Sequence, residues 1–164
     1  MTLIFLIILF IITIIYNTYI IIKNKNVPES ISETSYIFHR LNGKYYLFTC
    51  YCFLVTIILL PIWLNFSNED YQFLVFLSCS GILFAGITAF FKEDFQKTIH
   101  YTSGIIAVIT YIIWLILSGF INLLIIEILL VLILIILNRK NYVYYTEIVG
   151  LIGLIFLLIF NNIK

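Results

Sequence analysis

Apolar residues form six long, nearly unbroken runs along this chain, separated by short polar segments. The runs cover about residues 3–22, 45–66, 71–91, 99–117, 120–137 and 142–160. Each is close to the roughly 20 residues that an α-helix needs to cross a bilayer. Continuous runs favour helices, whereas a transmembrane barrel would show alternating segments of about ten residues. The pattern therefore predicts an all-α integral membrane bundle of six transmembrane helices, forming a single domain over residues 1–164.

Composition supports a membrane protein. The chain is 63% hydrophobic and 10% charged, whereas soluble domains are about 45–50% apolar and about 25% charged. The first run has no early Lys or Arg and no A-x-A site, so we interpret it as a retained helix rather than a cleaved signal peptide. The three cysteines lie in apolar runs and are interpreted as small core residues. A net charge of +1 without a basic block gives no indication of nucleic-acid binding.

The distribution of basic residues predicts the orientation. The loops after the first, third and fifth runs carry eight of the nine Lys and Arg residues: Lys23, Lys25, Arg40, Lys44, Lys92, Lys97, Arg139 and Lys140. Basic residues are enriched in cytoplasmic loops. We therefore expect loops one, three and five in the cytoplasm and both termini outside, in a multi-pass protein of the cell membrane, with a bacterial inner membrane favoured.

The first loop is long enough to hold a short helix. Ser30-x-x-Glu33 has the form of a capping box, in which each side chain satisfies a free backbone N–H. We therefore predict a helix over about residues 31–41, lying either in the membrane interface or as a re-entrant segment. The apolar residues expected to share one face are Ile31, Phe38 and Leu41.

An acidic residue interrupts the fifth run, INLLIIEILLVLILIIL, near its middle. A charged carboxylate at the bilayer centre costs about 2.5–3.5 kcal/mol on insertion scales, so we expect Glu127 to face the bundle as a neutral, hydrogen-bonded acid. Partners at similar depth are Thr110, Tyr111, Ser80 and Thr56. A bond of this kind between helices contributes about 0.6–2 kcal/mol. The functional alternative is a proton or cation relay.

A second polar group is predicted where the fourth run begins. His100 is followed by Ser103-x-x-x-Ala107, a face of small residues that lets a neighbouring helix approach and directs His100 into the bundle. The candidate polar site comprises His100, Glu93, Asp94, Glu147, His39 and Ser32. Histidine and carboxylates at one depth can support acid–base chemistry. Alternatively, His100 bonds a carboxylate or carbonyl and locks the helix ends together.

A metal centre is not predicted. Catalytic zinc usually takes three protein ligands, and the chain has two histidines without H-x-x-x-H or H-E-x-x-H spacing. No Gly-rich phosphate loop is present. We therefore expect neither a metal nor a cofactor, and the sequence assigns no catalytic residue.

Two stretches, SISETSYIFHRLNGKYYLF from Ser30 and FFKEDFQKTIHYTSGIIAV from Phe90, resemble a group of small bacterial polytopic membrane proteins that is distantly similar to the DRAM/Frag-type membrane families. The chain departs from the pattern at Ser35-Tyr36, where many members have a Tyr-Tyr pair, and at Ala89-Phe90-Phe91, where a proline is expected. The resemblance covers roughly the first 110 residues and implies a polytopic helical fold without an assigned chemistry. The matching positions are Ser30, Ile31, Ser32, Tyr36, Arg40, His100 and Tyr101.

Three functions remain open at the level of the sequence. The first is a non-enzymatic membrane protein that binds lipid or a partner through its cytoplasmic face. The second is a small ion- or proton-coupled transporter that uses Glu127, and the third is a lipid-modifying enzyme with a site centred on His100. The bilayer is the expected partner, a membrane-protein partner or a second copy is left open, and nucleic acid is not expected.

Overall fold

The computed structural model describes residues 2–42, 46–88, 94–137 and 139–163, and these residues form helices and turns without a β-strand. Short 3-10 turns at Glu69–Tyr71 and Arg139–Asn141 lead into two of the helices. The helices are α1 Thr2–Asn24, α2 Thr34–Asn42, α3 Tyr46–Phe66, α4 Gln72–Thr88, α5 Asp94–Leu117, α6 Ile121–Leu137 and α7 Tyr142–Ile163. The predicted all-α class is confirmed.

Five helical segments are long and apolar enough to cross a membrane: Thr2–Asn24, Tyr46–Phe66, Glu69–Thr88, Thr98–Leu117 and Tyr142–Asn161. The sixth predicted span corresponds to α6, which has only 17 residues. At 1.5 Å per residue, α6 is about 26 Å long, somewhat less than a hydrocarbon core of about 30 Å. Among the described residues, the structure therefore supports a multi-pass protein with five full-length spans and one shorter apolar helix.

Helix α4 lies between α3 and α5 and packs most extensively on them. A Cβ atom built on Gly81 would lie 2.6 Å from the Ser103 carbonyl oxygen, and one built on Gly86 would lie 2.5 Å from Cys52 Cβ. Larger residues at these glycines would force the helices apart, so small residues set the close approach. The close packing predicted for the Ser103 and Ala107 face is confirmed.

Contacts between helix ends define two ends of the bundle. Thr49, near the start of α3, donates to the carbonyl of Gly86 near the end of α4 at 2.7 Å. Trp114, near the end of α5, donates to Ser67 just after α3 at 2.7 Å. We call the end that holds residues 25–42 and the starts of α3, α5 and α7 the loop-1 end. The opposite end, near which both tryptophans lie, is called the Trp end.

The exterior of the bundle is rich in Ile, Leu and Phe, as expected for a surface that faces lipid. The aromatic residues divide between the interior and the surface of the bundle. Trp63 and Tyr144 are buried, whereas Tyr46 and Tyr142 are exposed. The cysteines are free, and Cys50 is exposed, so the core interpretation holds only for the other two.

The short helix after α1 begins later than predicted. Residues 31–33 form a turn, and α2 runs over Thr34–Asn42. Ile37 and Phe38 are buried against α1, whereas Leu41 is 41% exposed, so the prediction that Leu41 shares the buried face is wrong. Ile31 lies in the turn before α2 rather than on the helix, and Leu41 is exposed in the last turn of α2 although it follows Phe38 by three positions.

Candidate functional site

The start of α7 holds the loop between α1 and α2 through its polar side chains. Asn141 donates from its amide to the carbonyls of Val27 and Pro28. The Glu147 carboxylate accepts from the backbone N–H of Ile31 at 2.6 Å. In addition, the backbone N–H of Tyr144 donates to the carbonyl of Glu29 at 3.0 Å. A segment without regular structure is therefore fixed by bonds to residues more than 110 positions later in the chain.

A second layer of polar groups lies deeper in the bundle and joins α7 to α1 and α3. The Tyr144 hydroxyl donates to Asn17 Oδ1 at 2.9 Å, and Asn17 Nδ2 donates to the Thr13 carbonyl at 2.8 Å. The Tyr51 hydroxyl donates to Thr13 Oγ1 at 3.4 Å. All four residues are buried. Each bond satisfies a polar group that would otherwise be costly in an apolar interior.

The start of α2 joins the same network through Tyr16. Thr34 Oγ1 donates to the carbonyl of Ile31, so it accepts from the Tyr16 hydroxyl at 2.5 Å. The Tyr16 ring stacks on the Tyr51 ring with centroids 4.2 Å apart. Helices α1, α2, α3 and α7 therefore meet in one buried polar network at the loop-1 end, which we call the cap network.

The serines of the loop are occupied within their own turn. Ser30 Oγ accepts from the Glu33 N–H at 3.1 Å and lies 2.9 Å from Ser32 Oγ. Ser35 Oγ donates to the Ser32 carbonyl at 2.9 Å. Glu33 accepts from the N–H of Glu29 rather than that of Ser30, so the capping box closes one residue earlier than the motif predicts. These hydroxyls act as turn and helix caps.

His100 bonds a different part of the bundle. Its Nδ1 donates to the carbonyl of Ala85 in α4 at 2.9 Å. This bond joins the start of α5 to the end of α4, beside the contact between Gly81 and Ser103. It matches the structural alternative from the sequence, in which His100 bonds a carbonyl and links helix ends.

The six residues of the predicted polar site therefore take different places. Glu147 belongs to the cap network, Ser32 to the turn that precedes α2, and His100 to the contact between α4 and α5. His39 is exposed on α2. Glu93 and the side chain of Asp94 lie outside the described residues. Among the described residues, no group of three His, Cys, Asp or Glu side chains could hold a metal ion.

Glu127 faces the bundle interior and is the buried residue of α6. The Tyr111 hydroxyl of α5 donates to Glu127 Oε1 at 2.7 Å, so the partner is one of the four that the sequence suggests. Gly153 of α7 lies against the carboxylate, and a Cβ atom at this glycine would overlap it. Glu127 therefore occupies the contact between α5, α6 and α7, in a space that only glycine leaves open.

Sequence reasoning missed several members of the cap network, above all Asn17 and Asn141. A signal for Asn17 was present, because Thr13 and Asn17 recur at i and i+4 in an otherwise apolar helix. The signal for Asn141 was absent, because an Asn in a short loop usually forms a turn. The contact that makes Asn141 important joins residues 113 and 114 positions apart.

Comparison with protein-family models, with curated proteins and with solved structures finds no match for this chain.

Proposed function

We propose that this chain is a multi-pass protein of the bacterial inner membrane that binds anionic lipid headgroups through the loop-1 end, without an enzymatic reaction. One observation carries the proposal: α2 and the end of α1 present exposed basic and aromatic side chains together on a fixed support. Lys23, Lys25 and Arg40 are exposed, and Tyr36 is 64% exposed. Basic residues beside a membrane-facing aromatic ring are typical of segments that lie on anionic lipid.

The basic side chains are brought together by contacts between α1 and α2. Arg40 donates to Asn24 Oδ1 at 3.1 Å, and Asn24 stands between Lys23 and Lys25 in the chain. The Tyr19 ring stacks on Phe38 with centroids 6.0 Å apart, which adds an apolar contact between the same helices. The cap network then ties this surface to α7. Because the backbone under these side chains is already fixed, binding of a headgroup requires little further ordering of the protein, and less conformational entropy is lost.

The backbone at Lys25 supports a role for its charge. Lys25 adopts a left-handed conformation with φ of 59° just after α1 ends. Glycine is the usual residue at this position, and another residue there costs about 1–2 kcal/mol. A lysine at this point is unfavourable for the backbone, which supports a role for its charged side chain.

The number of membrane crossings and the orientation of the loops are part of the same proposal. Helix α6 leads from the turn after Trp114 at the Trp end to Asn141 at the loop-1 end. This supports six crossings, with the shorter α6 accommodated by local thinning of the bilayer. Loops one, three and five would then lie in the cytoplasm. The resemblance to small bacterial polytopic membrane proteins agrees with this arrangement, and it is part of the proposal.

The other two functions have less support. Glu127 is bonded to Tyr111 and packed against a glycine, an arrangement that favours helix packing over an ion pathway. The Ser32 and Ser35 hydroxyls are used within their own turn, so neither serine supports the enzyme hypothesis as an activated nucleophile.

The lipid proposal is tested by native mass spectrometry of protein released from nanodiscs of phosphatidylcholine mixed with phosphatidylglycerol. Each Lys or Arg near an anionic surface contributes about 1 kcal/mol, so Lys25→Gly should lower phosphatidylglycerol retention about five-fold. The same change should keep or raise the unfolding temperature, because glycine relieves the backbone at this position. Lys164→Gln, on the side predicted to lack other basic residues, is the charge-matched control. Equal retention in both variants would refute lipid binding at this surface.

The crossing number is tested separately with reporters fused after Lys164. Six crossings with the first helix starting outside place the C-terminus outside the cytoplasm. Alkaline phosphatase fused there should be active, and green fluorescent protein should be dark. The opposite result would indicate an odd number of crossings or the reverse orientation. Reporters fused within the loop that holds residues 25–30 should show inactive alkaline phosphatase and bright green fluorescent protein, because this loop is expected in the cytoplasm. If the C-terminal fusion gives the unexpected result, the loop fusion distinguishes an odd number of crossings, with the loop still in the cytoplasm, from the reverse orientation.

A further inference from the structure

The side chain of Asn24 connects the end of α1 to α2. Its Oδ1 accepts from Arg40 Nη2 at 3.1 Å, and its Nδ2 donates to the carbonyl of Asn26 at 3.2 Å. Both ends of the amide are therefore engaged, which fixes its orientation. The first bond directs the Arg40 guanidinium, and the second closes the turn that carries Lys25.

The Arg40 guanidinium keeps a pair of donors for a ligand. A guanidinium has five N–H donors in one plane, and each of its two edges that share Nη2 presents a pair of them. Among the described residues, the bond from Nη2 to Asn24 is the one hydrogen bond of this side chain. That bond uses one N–H of Nη2, so one of the two edges retains both of its donors, and we call it the open edge. Such a pair matches two oxygens of a phosphate or a carboxylate, and the Arg40 side chain is exposed.

The backbone that carries Arg40 is held against α1 by aromatic contacts. Phe38 is 2% exposed, and the centre of its ring lies 5.6 Å from that of Tyr16 and 6.0 Å from that of Tyr19. Lys23 Nζ lies 6.0 Å from the centre of the same Tyr19 ring. Lys23 and Arg40 are therefore both placed where α2 packs on α1.

An exposed apolar stripe of α1 leads to these cations. Ile15, Tyr19 and Ile22 are 61%, 39% and 68% exposed. They recur at i, i+4 and i+7, so they share one face of the helix, which we call the α1 stripe. Tyr19 belongs to this stripe and is also the ring beside Lys23. A molecule with a negative head and an apolar tail would contact the cations and the stripe together, whereas a soluble phosphate would contact only the cations.

From these observations we propose that Arg40 binds the phosphate of an anionic glycerophospholipid through its open edge, and that Asn24 is the positioning residue for this edge. An acyl chain of the same lipid lies on the α1 stripe. The proposal rests on the lipid-binding function given above and goes beyond it, because it assigns recognition of the phosphate to the shape of one guanidinium and not to net charge alone. The site lies where α1 ends, at the level expected for lipid headgroups.

The guanidinium is tested by exchanging arginine for lysine, which keeps the charge and removes the paired donors. Phosphatidylglycerol retention is measured by native mass spectrometry of protein released from nanodiscs of phosphatidylcholine and phosphatidylglycerol. We expect Arg40→Lys to lower this retention at least about three-fold. Arg139→Lys makes the same exchange at the other arginine of the sequence and should leave the retention unchanged. Wild-type retention in Arg40→Lys, or an equal loss in both variants, would overturn the proposal.

The positioning role of Asn24 is tested by a double-mutant cycle. Asn24→Ala releases the guanidinium and should lower phosphatidylglycerol retention about two-fold or more. In Arg40→Lys protein the same substitution should have no further effect, because the paired donors that Asn24 directs are already absent. An equal loss in both backgrounds would show that Asn24 only supports the turn, and it would overturn the positioning role.

Two further comparisons separate the possible sources of failure. Incubation of the nanodiscs with inorganic phosphate, against sodium chloride of equal ionic strength, should leave the lipid in place, because free phosphate lacks an acyl chain. Displacement by phosphate would assign Arg40 to a soluble anion and overturn the proposal. A loss of retention in Lys25→Gly without a loss in Arg40→Lys would support lipid binding by charge and overturn only the role of the guanidinium. Equal retention in Lys25→Gly and Lys164→Gln would instead refute the lipid-binding function itself.

Discussion

Two glycines three positions apart in α7 provide a sharp test of the Glu127 contact. A Cβ atom on Gly153 would overlap the Glu127 carboxylate, whereas one on Gly150 would lie 3.6 Å from the Tyr111 ring, at ordinary contact distance. Both sites are in the helix interior of the same span. Gly153→Ala therefore displaces the acid, and Gly150→Ala serves as its matched control.

The expected magnitude follows from two opposing terms. Replacing glycine by alanine within a helix stabilises it by about 0.5–1 kcal/mol. At Gly153 the added methyl group pushes the Glu127 carboxylate away from Tyr111, and leaving a buried polar group unpaired costs about 1–3 kcal/mol. The Gly150 variant carries only the favourable term. We expect the two variants to differ in the free energy of unfolding by about 1–3 kcal/mol, with Gly153→Ala the less stable.

The assay is unfolding in mixed micelles with increasing dodecyl sulfate, followed by tryptophan fluorescence. A double-mutant cycle with Glu127→Ala isolates the contact, because truncating the acid removes the atoms that the new methyl group meets. In that background Gly153→Ala should be neutral or stabilising. If Gly153→Ala is as stable as Gly150→Ala in the wild-type background, or if the cycle shows no coupling, the placement of Glu127 against α7 is wrong.

Three further outcomes are expected. Glu127→Gln keeps an acceptor for Tyr111 and should change the free energy of unfolding by less than about 0.5 kcal/mol, whereas Tyr111→Phe should cost about 1–3 kcal/mol. Glu147→Ala removes an acceptor that holds the loop between α1 and α2, so hydrogen exchange in residues 27–34 should speed up when followed by mass spectrometry. Trp114→Phe should cost about 1 kcal/mol more than Trp63→Phe in the same unfolding assay, because only the first substitution breaks a described hydrogen bond.

Each outcome has a result that would contradict it. A large loss of stability in Glu127→Gln would show that the native side chain makes a bond that an amide cannot replace. Unchanged hydrogen exchange of residues 27–34 in the Glu147→Ala variant would mean that the other bonds from α7 are sufficient to hold this loop. Equal costs for the two tryptophan substitutions would remove the hydrogen bond to Ser67 as a source of stability.

At the candidate site, the sequence predicted which polar residues face the bundle, but it did not predict which distant residues they bond. The acid in the fifth run was evident from its neighbours, and its inward direction follows from the cost of burying charge in lipid. The choice of Tyr111 among four partners depends on the rotation and depth of two helices, which the apolar pattern leaves open. His100 and Glu147 were predicted at one depth, but their hydrogen bonds go to α4 and to the α1–α2 loop.

The sequence by itself determined that this is a helical protein of the membrane, because long apolar runs can satisfy their backbone only as helices in lipid. It also determined where most helices begin and end, and that the Ser103 and Ala107 face lets a neighbouring helix approach closely. Tertiary structure alone decided that Asn141, Tyr144 and Glu147 hold a loop from the other half of the chain, and that the rings of Phe66, Trp114 and Phe120 pack on one another. These groupings depend on how helices are rotated and paired, and local hydrophobicity is nearly the same on all sides of such helices.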